Sequence, residues 1–301
     1  MSTTSVEKHV SKAGFLKSRR SRVLLALVLF IIICAAVIPP VVVTELRKKN
    51  DMGPKSKVIV PLYVYPAPGA WAPLEKEIAA HPDVNFTVVI NPGSGPGPNA
   101  LPDANYTREI PVLRSYENVR LLGYVHTSYA QRNISLVRRD IETYAAWPDV
   151  SSNKLAVRGI FVDETPQRYS GSAFDYLQNL TDLAKSLDGF GPDPFVVHNP
   201  GTVPDSRYMA TADSTVVVEA AYDTFLERNG TRQLTEIPSS NRTQRAALIH
   251  SVPDSVAGSK LRGLVKQVRG VADEVFITHL SEDYYANFGD RWSEFVDLMD
   301  D

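Results

Sequence analysis

The sequence predicts one large α/β domain in which eight parallel strands close into a (β/α)8 TIM barrel. Three observations support this fold class. From residue 58 onward, short β-branched or aromatic segments alternate with segments of helical period. Eight such strand segments occur in about 240 residues, the number and length typical of this barrel. Their middles are apolar and their ends are polar or aromatic, as expected of buried parallel strands that carry a site at one end.

The predicted elements follow one another in regular alternation. The strands are 58–65, 84–91, 120–127, 157–164, 194–199, 215–221, 246–252 and 274–280. The helices are 74–80, 108–116, 134–147, 173–187, 223–229, 255–268 and 284–298. The link after the fifth strand is short and irregular.

A doubly wound open sheet is the competing architecture. Its ligand site would need a glycine-rich turn after an early strand, and residues 91–98 read Asn-Pro-Gly-Ser-Gly-Pro-Gly-Pro. This turn lacks the spacing of a dinucleotide fingerprint, and its prolines remove amides that would hold a phosphate. The barrel is therefore favoured, and no cofactor is expected.

The charge is distributed unevenly along the chain. The net charge is -2, but residues 1–57 contain eleven Lys/Arg and three Asp/Glu, a balance of +8, which leaves -10 for residues 58–301. An acidic domain argues against nucleic acid or a polyanion as ligand and is compatible with a neutral or cationic one.

Cys34 is the only cysteine, so the domain itself has no disulfide and no cysteine nucleophile. We expect it to be monomeric.

The first 57 residues predict a membrane anchor. Residues 23–43 form a stretch of 21 residues without a charge, long enough to span a bilayer. Six basic residues precede it and three follow closely, which places the N-terminus in the cytoplasm. The expected organisation is a basic tail (1–22), a transmembrane helix (23–43), a stalk (44–57) and an extracellular domain (58–301), a single-pass type II arrangement. The alternative is a signal peptide cleaved near Cys34-Ala35-Ala36, which would release a secreted protein.

Six Asn-x-Ser/Thr sequons support export in either case. A single sequon is weak evidence, but six in one domain are typical of a secretory-pathway glycoprotein. The acceptor residues would be Asn85, Asn105, Asn133, Asn179, Asn229 and Asn241.

The ends of the predicted strands carry the candidate site. In a TIM barrel the active site is built from the carboxyl ends of the strands. Three carboxylates occur there: Asp163 and Glu164 after the fourth strand and Glu219 on the sixth. The candidate substrate contacts are Tyr63, Asn91, His126, Tyr129, His198, Asn199 and Tyr222. Carboxylates among aromatic, amide and imidazole groups are typical of a site that binds and cleaves a sugar.

Glycosidic cleavage requires two carboxyl groups that flank the scissile bond. Neighbouring residues of a strand point to opposite sides, so Asp163 and Glu164 are poor candidates for opposing each other. Asp163 and Glu219, on the fourth and sixth strands, can face each other across the barrel mouth. We therefore expect Asp163 and Glu219 to be the catalytic pair and Glu164 to support them.

Structural alternatives exist for each of these residues. Asp163 could cap the following helix or pair with Arg168, and Glu219 could form a buried salt bridge. The histidines His126, His198, His250 and His279 could bind a metal, but they lack the close spacing of a typical ligand set. No metal site is therefore expected.

Several ordered motifs show that the sequence resembles the spherulin-4 family. They are Val60-Pro-Leu-Tyr-Val-Tyr-Pro66 with Trp71, Val89-Ile-Asn-Pro-Gly-Ser-Gly-Pro-Gly97, Leu122-Gly-Tyr-Val-His-Thr127, Ile141-Glu-Thr-Tyr-Ala-Ala-Trp147 and Gly159-Ile-Phe-Val-Asp-Glu-Thr165. The resemblance covers roughly residues 58–298.

The resemblance implies a (β/α)8 glycoside hydrolase that cuts an N-acetylgalactosamine-containing exopolysaccharide of the galactosaminogalactan type internally. The family's functional carboxylates fall on Asp163, Glu164 and Glu219. Asp163 would be the nucleophile or base and Glu219 the general acid. Two alternatives remain, a non-catalytic cell-surface lectin on the same barrel and, more distantly, a metal-dependent phosphodiesterase.

Overall fold

A computed structural model of the chain describes residues 52–151, 155–227 and 241–301, together with the isolated positions Val23 and Leu27. The fold is carried by the compact unit Met52–Asp301. The predicted transmembrane segment 23–43 lies outside the described residues, apart from those two positions. Among the described residues, no helix is long and apolar enough to cross a membrane.

Eight parallel strands form a closed barrel in the order β1 to β8, which confirms the predicted fold class. Each strand pairs with the next in sequence, and β8 closes the barrel against β1 through the register pairs Lys57↔Glu274 and Val58↔Val275. The strands are Lys57–Leu62 (β1), Phe86–Ile90 (β2), Val119–His126 (β3), Gly159–Asp163 (β4), Phe195–His198 (β5), Ser214–Ala221 (β6), Arg245–His250 (β7) and Glu274–Ile277 (β8).

The helices of the described chain pack around the barrel. They are Ala72–Ala80 (α1), Ala104–Arg114 (α2), Ile134–Val150 (α3), Gly171–Ser186 (α4), Tyr222–Glu227 (α5), Ser259–Arg269 (α6) and Trp292–Asp300 (α7). Buried residues on α6 recur at Leu261, Leu264, Val265 and Val268, the spacing of one helical face turned to the core. The irregular link after β5 contains the short 3-10 helix Ser206–Thr211.

The main difference from the sequence prediction concerns the last helix, which begins at Trp292 rather than at residue 284. Asp283, the residue before the predicted helix, has a left-handed backbone with φ of 47°. The N–H of Ala286 closes a turn onto the carbonyl of Asp283. Residues 278–291 therefore form a loop after β8, and this loop delivers Tyr284 and Tyr285 to the site described below.

The compact unit also begins earlier than residue 58. The side chain of Met52 is buried in the main core, and Ser56 is buried with its hydroxyl donating to the carbonyl of Ala272. Residues 52–57, which the sequence placed in a stalk, therefore belong to the folded unit.

The three tryptophans, Trp71, Trp147 and Trp292, are all buried, so they act in packing.

Candidate active site

β4 directs Asp163 into the barrel mouth. Residues two apart on a strand share a face, so Asp163 lies on the same face as Phe161. The ring of Phe161 stacks on that of Tyr124 from β3, with centroids 6.3 Å apart. The hydroxyl of Tyr124 then donates to Asp163 Oδ2 at 2.7 Å. The alternation of β4 therefore places a carboxylate at the end of an aromatic inner layer.

A β-bulge precedes Glu219 on β6. The register against β7 shifts between Val216 and Val218, and such a bulge re-aims the side chains that follow it. The backbone N–H of Glu219 donates to the carbonyl of Gly201 at 3.0 Å. Its Oε1 accepts a hydrogen bond from the hydroxyl of Tyr285 at 2.8 Å. The carboxylate is thus held on one side by the loop after β8.

Asn199, the residue after β5, joins the two carboxylates. Its Nδ2 donates to Asp163 Oδ1 at 2.8 Å and to Glu219 Oε2 at 2.7 Å. Since both bonds meet on one nitrogen, the two oxygens can lie no further apart than the sum of these distances, 5.5 Å. The side chain is itself fixed, because its Oδ1 accepts from the N–H of Gly201 at 2.9 Å.

Three tyrosines surround this pair. Tyr63 from β1 makes edge-to-face contacts with Tyr124 and with Tyr285, at centroid distances of 5.7 and 5.5 Å. Burial, together with the nearby carboxylates, raises the pKa of all three phenols above the ordinary value. The phenols therefore stay protonated, and those of Tyr124 and Tyr285 act as hydrogen-bond donors to the carboxylates.

Burial also raises the pKa of Asp163 above its ordinary value. The hydrogen bonds from Tyr124 and Asn199 lower this pKa, and the neighbouring charge of Glu219 raises it. A buried carboxylate whose donors are neutral groups is poised for chemistry rather than neutralised by an ion pair. Asp163 does not cap the next helix either, because Ser170 is the N-cap of α4. The contacts of Glu219 described above are also with neutral groups.

Glu164 lies outside this pair. β4 ends at Asp163, and Glu164 adopts a left-handed backbone with φ of 52°. Its carbonyl accepts from the N–H of Tyr129 and the hydroxyl of Thr127, both at 2.7 Å. Its carboxylate is 3.7 Å from His126 Nδ1 and half exposed. Glu164 and His126 therefore border the mouth beside Asp163.

Three other predicted contact residues, Asn91, Tyr129 and Tyr222, have different surroundings. Asn91 supports the glycine-rich turn, since its Oδ1 accepts from the N–H of Gly95 at 3.1 Å. Tyr129 is exposed, and three consecutive residues from Ser128 to Ala130 have positive φ angles. Tyr222 begins α5 directly after β6 and packs partly against the main core.

His198 is placed away from the carboxylates. It is buried, and its two ring nitrogens each lie 3.3 Å from a threonine hydroxyl, Nε2 from Thr181 on α4 and Nδ1 from Thr211. Burial lowers the pKa of His198 to about 4, so the ring is neutral at physiological pH. As the last residue of β5 it faces the helix layer, whereas Asn199 turns into the mouth.

The predicted substrate contacts do not include Tyr124, Tyr285 or the stacked pair of His250 and Tyr284, of which His250 appears only among the possible metal ligands. The rings of this pair lie 4.1 Å apart at an angle of 4°. Burial lowers the pKa of His250, and the charge of Glu219 opposes that shift, which shows that this histidine lies in the field of the site. None of the four histidines considered as metal ligands belongs to a metal-ligating group within the described part of the chain.

A family model, Spherulin4, described as spherulation-specific family 4, matches residues 57–299. The chain belongs to the spherulin-4 family. The matched range contains all eight strands and every residue of the site described above. The arrangement of Asp163, Asn199 and Glu219 is thus part of the spherulin-4 domain itself.

Two relatives of this spherulin-4 domain are informative. Its fold matches the crystal structure of Aspergillus clavatus Sph3 in complex with GalNAc, at 72% sequence identity and a TM-score of 0.82, over 83% of this chain and 99% of that one. Spherulin-4 of Physarum polycephalum is 38% identical over 165 residues, which are 55% of this chain. The match spans 45% of that curated relative's length.

Proposed function

We propose that this spherulin-4 domain is an endo-acting glycoside hydrolase that cleaves an N-acetylgalactosamine-containing exopolysaccharide. The observation that carries the proposal is the pair of carboxylates, Asp163 and Glu219, held across the barrel mouth by the amide of Asn199. Paired carboxyl groups at this end of a barrel provide the acid and the nucleophile or base of glycosidic cleavage. The GalNAc complex of Aspergillus clavatus Sph3 supports the choice of sugar.

The separation of the two carboxylates favours a retaining mechanism. Carboxyl groups are about 5–5.5 Å apart in retaining enzymes and about 6.5–9.5 Å apart in inverting enzymes, which need room for a water molecule. Asp163 Oδ1 and Glu219 Oε2 are at most 5.5 Å apart, which is shorter than the range for inverting enzymes. We therefore propose a nucleophile rather than a general base, and we assign this role to Asp163 and the general acid to Glu219, as the family resemblance implies.

The reaction proceeds in two displacements. In the first, an oxygen of Asp163 bonds to the anomeric carbon while Glu219 gives its proton to the departing glycosidic oxygen. In the second, Glu219 takes a proton from water, whose oxygen attacks the anomeric carbon and releases Asp163 as a carboxylate. The Tyr124 hydroxyl and the Asn199 amide hold the two oxygens of Asp163 during both steps.

The rim of the mouth provides the substrate contacts. Glu164 and His126 lie beside Asp163, and Tyr129 is exposed next to them. An exposed carboxylate at this position favours a sugar that carries a positive charge, such as a deacetylated galactosamine unit. The net charge of -10 over residues 58–301 also favours a positively charged ligand. Tyr63, Asn91 and Tyr222 lie at neighbouring strand ends, whereas the buried His198 is left out of the proposed substrate site.

We also propose that the enzyme is monomeric and is displayed outside the cell by residues 23–43. The support comes from the uncharged stretch of 21 residues with its excess of basic residues on the N-terminal side. Four of the sequon asparagines, Asn85, Asn133, Asn179 and Asn241, are exposed, Asn105 is partly buried, and Asn229 lies outside the described residues. The exposed positions leave room for attached glycans.

Incubation with purified galactosaminogalactan tests the proposal. The wild-type chain should release new reducing ends throughout the polymer. Asp163→Asn and Glu219→Gln should each reduce the rate by at least about 1000-fold, since each removes a group that acts in the transition state. Glu164→Gln should weaken activity on partly deacetylated polymer without abolishing it.

The matched control is Glu117→Gln, which makes the same chemical change at an exposed residue just before β3, at the other end of the barrel. It should leave the rate unchanged. Full activity in Asp163→Asn or Glu219→Gln would refute the assignment of the pair. Binding of the polymer without any release of reducing ends would indicate a lectin on the same barrel.

A further inference from the structure

One group of side chains outside the barrel mouth has the composition and spacing of a metal site. His81 directly follows α1, Glu77 lies one turn earlier on that helix, and Asp297 lies on α7. One ligand atom from each lies within 4.8 Å of the other two. We propose that these three side chains bind a zinc ion that ties the first helix of the barrel to the last.

Asp300 determines how His81 presents its ring. Asp300 Oδ2 is 3.3 Å from His81 Nδ1, and an ionised carboxylate can only accept a hydrogen bond. With Nδ1 donating to Asp300, Nε2 is the nitrogen that can bind a metal. A carboxylate that accepts from one ring nitrogen is the usual support of a histidine whose other nitrogen binds a metal.

His81 Nε2 faces two carboxylates. Nε2 lies 3.5 Å from Glu77 Oε2 and 3.2 Å from Asp297 Oδ1. Two carboxylate oxygens around one ring nitrogen are favourable only with a proton or a metal ion between them. Zinc bonds to nitrogen and oxygen of about 2.0–2.1 Å in tetrahedral geometry separate neighbouring ligand atoms by about 3.3–3.4 Å. The two observed distances bracket that value.

The two carboxylate oxygens of Glu77 have different partners. The hydroxyl of Ser293 and the ammonium of Lys76 both donate to Oε1, at 2.6 and 3.1 Å, which leaves Oε2 directed at His81. The side chain of Glu77 is only 5% exposed. Oε2, 3.5 Å from His81 Nε2, is therefore the oxygen that Glu77 can offer to a metal ion.

The helices add to the negative potential. The carboxyl end of a helix carries a partial negative charge that favours cations, and neither α1 nor α7 has a basic residue in its last turn. Asp297 and Asp300 are instead acidic residues in the last turn of α7. Lys76 is the cation that contacts Glu77, and its side chain is 74% exposed. From α6, Arg269 donates to the carbonyl of Leu298 and Arg262 pairs with Asp301, so neither contacts the three carboxylates around His81. The group therefore has an excess of negative charge around one imidazole.

The ligand types favour zinc over magnesium or calcium. An imidazole nitrogen with two carboxylate oxygens suits zinc, whereas magnesium and calcium prefer oxygen ligands alone. The side chain of Asp297 is 67% exposed, so a water molecule can reach the fourth position. The bound ion would reinforce the seam at which the barrel closes, where β1 and β8 share two register pairs.

The test uses the full chain, purified in detergent without a histidine tag and treated with a chelator. Titration calorimetry with zinc chloride should give one site, and zinc at about 100-fold its Kd should raise Tm by roughly 5 °C. EDTA should reverse the shift, and magnesium at the same concentration should produce none. Asp297→Asn should weaken zinc binding at least tenfold, and His81→Gln should abolish binding at this site.

Asp83→Asn is the control, because it removes one exposed negative charge close to the site without changing a ligand. It should bind zinc as the wild type does. Wild-type protein that binds no zinc would overturn the proposal. Zinc binding unchanged in Asp297→Asn and His81→Gln, or an equal Tm shift with magnesium, would overturn it as well.

Discussion

Asn199 holds both carboxylates of the barrel mouth through one amide nitrogen. A neutral donor fixes the carboxylates without giving either a positively charged partner. An arginine or lysine in the same place would form an ion pair with the carboxylates and oppose proton donation. The tyrosines act in the same way, because the hydroxyls of Tyr124 and Tyr285 donate one hydrogen bond to each carboxylate.

Tyr124→Phe provides a test of this arrangement through the pH profile. The hydroxyl of Tyr124 lowers the pKa of Asp163, which burial raises, so its removal should raise that pKa further. A nucleophile must be ionised, so kcat/KM falls as the pH drops through this pKa. The acid limb of the profile should therefore move to higher pH in the variant.

The control for this experiment is Tyr116→Phe, at a partly buried tyrosine just before β3 and outside the site. It should leave the acid limb where the wild type has it. An acid limb that stays in place in Tyr124→Phe, or moves to lower pH, would show that ionisation of Asp163 does not control the reaction.

Single residues at strand ends were only partly predictable from sequence. The alternation along β4 predicts different directions for Asp163 and Glu164, but the strand ends at Asp163 and Glu164 adopts a left-handed backbone at the rim of the mouth. The same reasoning could not decide between His198 and Asn199, since the end of β5 lies between them. Tyr124 lies two residues before His126 on the same strand, so the alternation could have indicated its direction.

At the scale of elements, local irregularities aim the functional groups. The bulge on β6 precedes Glu219, and Glu164 has positive φ directly after β4. Strained backbone of this kind clusters at functional sites and is stabilised by the surrounding fold. The hydrophobic periodicity of the sequence indicates the strands but not such irregularities. It also placed Tyr285 in a helix, because a loop with apolar residues can imitate a helical period.

Gly159 at the start of β4 is a testable element of this fold. Its φ is +144°, and a Cβ atom there would lie 1.9 Å from the carbonyl oxygen of Phe195 on β5. Gly159→Ala should therefore force the two paired strands apart and destabilise the domain by at least about 3 kcal/mol. Thermal unfolding of the full chain measures the loss as a decrease in Tm.

Gly263→Ala is the matched control within α6. No atom lies within 4 Å of a Cβ added there, so the variant should be about 0.5–1 kcal/mol more stable than the wild type. A Tm for Gly159→Ala equal to that of the wild type would mean that β4 and β5 are not packed as described.

At the scale of the whole molecule, the closed barrel was the most predictable feature. Eight apolar segments at regular spacing leave few other ways to bury a parallel sheet on both faces. The group of Glu77, His81 and Asp297 could not be predicted, because two of its members are one helical turn apart and the third is some 200 residues away. Only the closure of the barrel brings the first and last helices together.

The proposed display outside the cell makes a prediction at this scale. In a eukaryotic host, the full chain should enter the membrane fraction and resist extraction with carbonate. Enzymatic removal of N-linked glycans should reduce its apparent mass. A full chain that stays in the cytosolic fraction with an unchanged mass would contradict both the anchor and the use of the sequons.

The central claim is that Asp163 and Glu219 act together across a gap too short for an intervening water. The stereochemistry of the first product tests this claim most directly. Proton NMR can record it while the wild-type enzyme cuts a defined galactosamine-containing oligosaccharide. The product should first appear with the anomeric configuration of the bond that was cleaved, before mutarotation mixes the two forms. First appearance of the opposite anomer would contradict the account, because inversion requires a wider separation than Asn199 permits.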